Sequence, residues 1–363
     1  MSLTPYLVAW RTIPLHDREV IDALVDPAHR EPSPQLAEAL RQWPGTYYWS
    51  RETDGHHLVL TRSTYRAREA WLLHGLLLAA TLFMTTMSGA VIAGALPARL
   101  LVLFNPAMWD WAFLRAWTTG LGFSLPLLAI LLCHELGHYL TARRYQLNVS
   151  PPFFLPGPPT PIGIGTFGAF IRLRTVLTDR RQLLDVGAAG PIAGFLVALP
   201  IRWWGFAHSQ LLESSVSGMS VQSGWGILPL GDSLITKLLR VLIHKNNGEL
   251  VLHPAAFAGW LGMYVTLLNL LPIAQLDGGH ILYAALPRVQ RWVARIFWVV
   301  ILLMGYFSKT WLLWGIIVLL LSRGRFGHPP VLDAYRPLPK SRIWVLCVSL
   351  LLFVLTFAPA PSP

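Results

Sequence analysis

The stretch Leu131-Leu132-Cys133-His134-Glu135-Leu136-Gly137-His138 ends an apolar run from about residue 118 to 142, and its reading decides the fold. A helix apolar on nearly every face belongs in a protein core or a bilayer, not on a wetted surface. Residues four apart share one face of such a helix, so His134 and His138 can present their imidazoles to a single metal ion. Glu135 projects beside them, where its carboxylate can take a proton from a water polarised by that ion. These polar groups are costly in an apolar helix unless they hold partners. A water-linked polar network without metal is the competing reading.

Further apolar runs lie at about 71–97, 183–205, 254–275, 292–308, 310–322 and 343–358. With 54% hydrophobic and only 13% charged residues, the chain has too little charge to cover a soluble surface of its size. The expectation is an α-helical polytopic membrane protein with about six to seven transmembrane helices. The runs 292–308 and 310–322 are short against the roughly 20 residues that a bilayer asks for. Joined as one span they would bury Lys309 at a cost of about 3 kcal/mol, so a tilted or re-entrant hairpin is expected.

Residues 1–68 read as an N-terminal soluble cytoplasmic region, 69–325 as the core, and 326–363 as a linker with a last transmembrane helix. In the first region Ser33-Pro34 is a helix start. Asp54-Gly55, between Tyr47-Tyr48-Trp49 and His57-Leu58-Val59-Leu60, signals a β-hairpin. His56 and His57 alone make no metal site. Met1 to Val20 lacks a short apolar core with a cleavage site, so no cleaved signal peptide is expected. Cys133 and Cys347 lie in apolar runs, as buried thiols with no disulfide framework.

The net charge of +11 comes from Arg residues beside the apolar runs rather than from a separate basic domain, which argues for loops retained on one membrane face and against nucleic acid. With the N-terminus inside, the inner segments carry eighteen Lys and Arg, including Arg143, Arg144, Arg172, Arg174, Arg288, Arg291, Arg295, Arg323 and Arg325. The outer segments carry seven: Arg99, Arg115, Arg202, Lys237, Arg240, Lys245 and Lys309. The C-terminus is then outside, and His134 and His138 lie near the inner face.

A catalytic metal wants three protein ligands and one open position. Asp277, in Asn269-Leu270-Leu271-Pro272-Ile273-Ala274-Gln275-Leu276-Asp277-Gly278-Gly279-His280, falls at the inner end of the fourth run, at the same depth as the histidines, where Pro272 can break the helix and turn it inward. His253-Pro254 opens that run at its outer end, roughly 36 Å away along a continuous helix at about 1.5 Å per residue. His74 reads as a packed histidine and Asp185 as the N-cap of the third span. His280 is either an outer-shell neighbour of the metal or an interfacial histidine.

The H-E-L-G-H of residues 134–138 with the N-x-x-P-x-x-x-L-D-G-G of 269–279 resembles the site-2 protease family of intramembrane metalloproteases. Gly165-Thr166-Phe167-Gly168-Ala169-Phe170, Gly190-Pro191-Ile192-Ala193-Gly194 and His253-Pro254 agree, and the set is similar to the branch without a PDZ domain. The resemblance covers roughly 70–325. It implies one Zn2+ per chain on His134, His138 and Asp277, with Glu135 as general base and Asn269 contacting the substrate or the developing oxyanion. The implied activity is hydrolysis of peptide bonds in a membrane-protein substrate of single-span type, in a bacterial inner (cell) membrane with the active site near its cytoplasmic face.

The connector 148–176 is Pro-rich from Pro151 to Pro161 and then alternates in Phe170-Ile171-Arg172-Leu173-Arg174, which predicts a small membrane-associated β element between the second and third helices, with Arg172 and Arg174 toward headgroups. Gly165, Phe167, Gly168 and Phe170 are the candidate substrate-binding residues, with an unwound substrate adding as a strand; a merely structural loop is the alternative. Gly190 and Gly194 form a G-x-x-x-G packing face. Two other classes stay open: a prenyl-protein protease, which needs a later Glu motif that no segment after His138 supplies, and a non-proteolytic metal-binding adaptor.

Overall fold

The computed structural model describes residues 3–14, 18–29, 33–52, 55–63, 69–97, 105, 109–160, 163–175, 177, 179–212, 218–223, 226–243, 249–329, 331 and 337–361. In the N-terminal region, strands β1 (Leu7–Pro14) and β2 (Arg18–Val25) precede helix α1 (Pro34–Arg41), followed by β3 (Gly45–Glu52) and β4 (Gly55–Ser63). They form an antiparallel sheet of order β1-β2-β4-β3. Ser33 Oγ accepts the Leu36 N–H at 3.3 Å and starts α1, whose Leu36 and Leu40 pack on Val25, Leu58 and Leu60. The β3–β4 hairpin closes at the Glu52–Gly55 pair; Asp54 lies outside the described residues. His57 is tied to Asp22 at 2.7 Å, which leaves it a structural role.

The remainder is mostly helical. In order come α2 (Trp71–Ile92), α3 (Trp111–Thr118), α4 (Leu121–Arg144), β5 (Phe153–Pro156), β6 (Thr166–Phe170), α5 (Arg180–Ala207), β7 (Gln210–Leu212), β8 (Gly218–Ser223), β9 (Gly226–Leu230) and α6 (Leu234–Ile243). Then follow β10 (Glu249–Val251), α7 (Pro254–Asn269), α8 (Asp277–Ala285), α9 (Gln290–Met304), α10 (Lys309–Ser322) and α11 (Ile343–Thr356). Helices α2, α4 and α5 are long and apolar enough to cross a membrane. The α4–α5 contact is close because Gly137 has no Cβ; one placed there would come within 2.4 Å of the Ala189 carbonyl oxygen.

Several expectations need correction. The run 254–275 is not one span: it breaks around Pro272, as that residue leads one to expect, with α7 stopping at Asn269 and Asp277 beginning the separate α8. Pro272 lacks an N–H and biases the residue before it away from helix. Ala274 takes a left-handed φ of 50° with its N–H on the Phe326 carbonyl at 3.2 Å, completing the turn. A second sheet of order β7-β10-β8-β9 stands between α5 and α7, where no β structure was anticipated; its strands are too short for the period-2 pattern to show. The third long helix is capped by Asp179, which accepts the Gln182 N–H at 2.8 Å, whereas Asp185 lies inside it and binds Arg342 at 2.8 Å.

Arg202 is no outer-loop charge. It is fully buried inside α5, donating to the Ala256 carbonyl at 2.9 Å with its guanidinium 4.4 Å from the Phe206 ring centre. Cys347 is exposed on α11 and Cys133 partly so; both are free thiols, but neither is fully buried. Helices α9 and α10 are distinct, turned back on each other, with Trp298 Nε1 donating to the Gly315 carbonyl at 2.9 Å.

The small β element lies between α4 and α5, but its strand is Thr166–Phe170 rather than 170–174. β6 pairs antiparallel with β5, and beyond Phe170 pairing continues only as the Val149–Leu173 bridge. The alternation at 170–174 reflects this extended tail. Arg174 is held by Glu69 at 2.5 Å.

Candidate metal centre

One turn of α4 separates His134 from His138, and their Nε2 atoms lie 3.1 Å apart. Asp277, first residue of α8, brings Oδ2 to 3.4 Å from His134 Nε2 and 3.3 Å from His138 Nε2. The two histidines are buried and the aspartate nearly so. His138 Nδ1 donates to the Val186 carbonyl at 2.7 Å, which leaves Nε2 as a bare lone pair directed at the same point. The two Nε2 atoms and Asp277 Oδ2 therefore converge on one point.

That donor set fits a tetrahedral zinc ion. Bonds of about 2.0–2.2 Å set neighbouring ligand atoms about 3.3–3.6 Å apart, and the triangle observed here has edges within a few tenths of an ångström of that range. The turn at 270–276 makes the convergence possible, because it points the start of α8 back at α4. Asn269, last residue of α7, places its amide nitrogen 3.3 Å from His134 Nε2.

Glu135 is buried and lines a cavity of about 400 Å³ together with His134, Asn269, Thr166, Phe167 and Gly168. The cavity thus lies between the metal-ligand triangle, α7, α10 and β6. β6 is paired on one side only, in a two-stranded sheet, among the described residues.

The four residues expected at the substrate are not brought together. Phe167 and Gly168 line the cavity; Gly168 has open space where a Cβ would stand, at φ +106°. Gly165 is packed instead on α2, where a Cβ would meet the Met84–Thr85 backbone at 2.4 Å. Phe170 stacks on Phe153 with ring centres 5.4 Å apart, outside the cavity lining. The register shifts at Phe167, Leu155 pairing with Gly168 and Pro156 with Thr166, and this irregularity sends successive residues of the segment to different neighbours.

Among the other candidates, His74 stacks on Phe153 and bonds the Pro152 carbonyl at 3.0 Å, as a packed histidine does. His253 caps α7 and sits beside His208 and Trp204, at the far end of α5. His280 pairs with His328, their Nδ1 and Nε2 atoms 2.7 Å apart. His328 escaped the sequence reading, as nothing local marks it as a partner of the α8 turn. Gly190 was read as packing, yet a Cβ there would fall 2.0 Å from His138 Nε2. Its bare backbone is the floor of the metal centre.

The sequence of residues 122–308 matches the model for "Peptidase family M50". The chain is 32% identical over 239 residues to "Probable zinc metalloprotease EGY1, chloroplastic" from Oryza sativa subsp. japonica, covering 64% of this chain and 39% of that protein. The Arabidopsis thaliana protein of the same name is 30% identical over 235 residues, 64% of this chain and 41% of its own length. "Probable zinc metalloprotease EGY2, chloroplastic" from Arabidopsis thaliana is 32% identical over 216 residues, covering 56% and 36%. The chain spans about two fifths of the length of these relatives. No solved structure matches. The family match takes in the histidine pair, the strand β6 and the aspartate that closes the triangle, and the chain belongs to peptidase family M50, the site-2 protease family that its motifs resemble.

Proposed function

We propose that this protein is a zinc-dependent intramembrane endopeptidase that hydrolyses peptide bonds of membrane-protein substrates in or near the bilayer. The observation that carries the reading is the triangle of His134 Nε2, His138 Nε2 and Asp277 Oδ2, with edges of 3.1–3.4 Å, opening on a cavity that Glu135 also lines. A zinc ion held there would supply Lewis-acid polarisation of water and of the scissile carbonyl. Glu135 takes a proton from the attacking water and returns it to the leaving amine. The Asn269 amide donates to the carbonyl oxygen as charge builds on it. His138 is kept in the metal-facing tautomer by the Val186 carbonyl.

A helical substrate hides its peptide bonds. The open side of β6, with Gly168 facing the cavity, favours a substrate that unwinds and adds as a strand beside Glu135. The substrate is then a single-span membrane protein, with no role for nucleic acid. Gly168→Pro removes the N–H and forces a φ that the strand does not have; cleavage is expected to fall at least about tenfold with zinc retained. Intact cleavage by that variant would exclude strand addition.

In the same reading α7, the α9–α10 hairpin and α11 join the three long helices as spans, six to seven in all. The N-terminus and the metal centre face the cytoplasm of a bacterial-type cell membrane, with residues 1–68 as a cytoplasmic cap on the core 69–325. The excess of Arg at the proposed inner ends supports this, and reporter fusions at each loop test it. The function itself is tested by Glu135→Gln. Zinc is expected to stay at one per chain while proteolysis is lost by at least about a thousandfold; unchanged proteolysis contradicts the mechanism.

A further inference from the structure

Beside the metal centre, on the far side of the 274–276 turn, lies a second cavity of about 1110 Å³. Five arginines line it: Arg288 just before α9, Arg291 and Arg295 in its first two turns, and Arg323 and Arg325 just after α10. None of its described lining residues is acidic. The pocket is built rather than accidental. The strap after α10 is fixed by the Ala274 N–H and Gln290 Nε2, both 3.2 Å from the Phe326 carbonyl, and by the His328 N–H at 2.9 Å from Gln290 Oε1.

Five like charges around one cavity repel each other, and an anion removes that repulsion. Guanidinium groups pair with phosphate oxygens through two parallel N–H bonds, which makes a phosphate group the natural occupant. The surroundings of the cavity select a lipid over a soluble ion. Trp292, Ile296, Leu320 and Leu321, on the same two helices, are 61–78% exposed and offer acyl chains an apolar face directly beside the charges. We propose that this pocket holds the phosphate headgroup of an anionic lipid. Its wall is the turn that delivers Asp277, and its strap carries the His328 that pairs with His280, so the lipid braces the α8 side of the metal centre.

The test is read on the protein itself, without proteolysis. Purified full-length protein in micelles is incubated with phosphatidylglycerol or phosphatidylcholine, and retained lipid is counted by native mass spectrometry. One phosphatidylglycerol per chain is expected to be retained, and phosphatidylcholine not. At roughly fivefold per arginine, Arg291→Gln with Arg325→Gln should weaken retention about thirtyfold, while the Lys pair at the same positions keeps most of it. Zinc content reports that each variant is folded. Equal retention of phosphatidylcholine, or undiminished retention by the Gln pair, overturns the pocket. Displacement of the lipid by equimolar inorganic phosphate overturns the lipid as its source.

Discussion

The two ends of α5 bury polar groups in opposite ways. At one end the bare backbone at Gly190 admits His138, and three acceptors from α4 and α8 crowd within 3.4 Å of one another. At the other end a single donor-rich side chain, Arg202, is fully buried, with its Nη1 on the Ala256 carbonyl, its Nη2 3.4 Å from the Met219 sulfur, and its Nε without a partner. An excess of lone pairs calls for a cation. A cation held by a backbone carbonyl, a sulfur and an aromatic face leaves only an N–H donor unmet, which no metal ion can answer, and it pins α5 to α7 and the second sheet. Burial and polarity alone do not separate a reactive site from a structural one; the sign of the unmet demand does.

The contrast can be broken at either end. Gly190→Ala should have the largest effect, since its Cβ would collide with His138 Nε2. Zinc affinity is expected to fall by at least about a hundredfold and proteolysis with it, measured by metal analysis and cleavage assay. A variant that keeps full zinc would remove Gly190 from the site. Arg202→Met should do the reverse, lowering stability by about 1–3 kcal/mol while one zinc per chain remains. Loss of zinc from that variant would mean that the two ends are coupled.

The smallest effect is expected at the base of the β element. A hydrogen-bonded Arg174 holds the Glu69 carboxylate below the usual range. The pair therefore stabilises the fold at neutral pH, and that contribution is lost as pH falls through the depressed folded pKa. Glu69→Gln should lower Tm slightly at pH 7, by about 1 kcal/mol or less in stability, and the two proteins should converge in acid. A gap that widens in acid would contradict the assignment.

The chemistry was more legible than the architecture. His134, Glu135 and His138 stand on one helix at fixed spacing, and Asp277 follows from a proline-broken run at matching depth, so local pattern placed them near one another before any fold was known. Local pattern could not show what is set by packing between elements. The second sheet has strands of three to six residues, too short for periodicity to speak. His328 reaches His280 across 48 residues of sequence. Arg202 resembled a flanking charge because only the fold supplies the carbonyl and ring that bury it. The strand lining the cavity was sought four residues too late, since a glycine at positive φ gives no alternation to read.

The most direct test is X-ray absorption of the zinc-loaded protein beside its Asp277→Asn variant. One zinc per chain is expected, with two imidazole nitrogens and one carboxylate oxygen at about 2.0–2.2 Å, and a changed spectrum with weakened binding in the variant. An identical spectrum and affinity after Asp277→Asn, or a coordination sphere containing only one histidine, would contradict it.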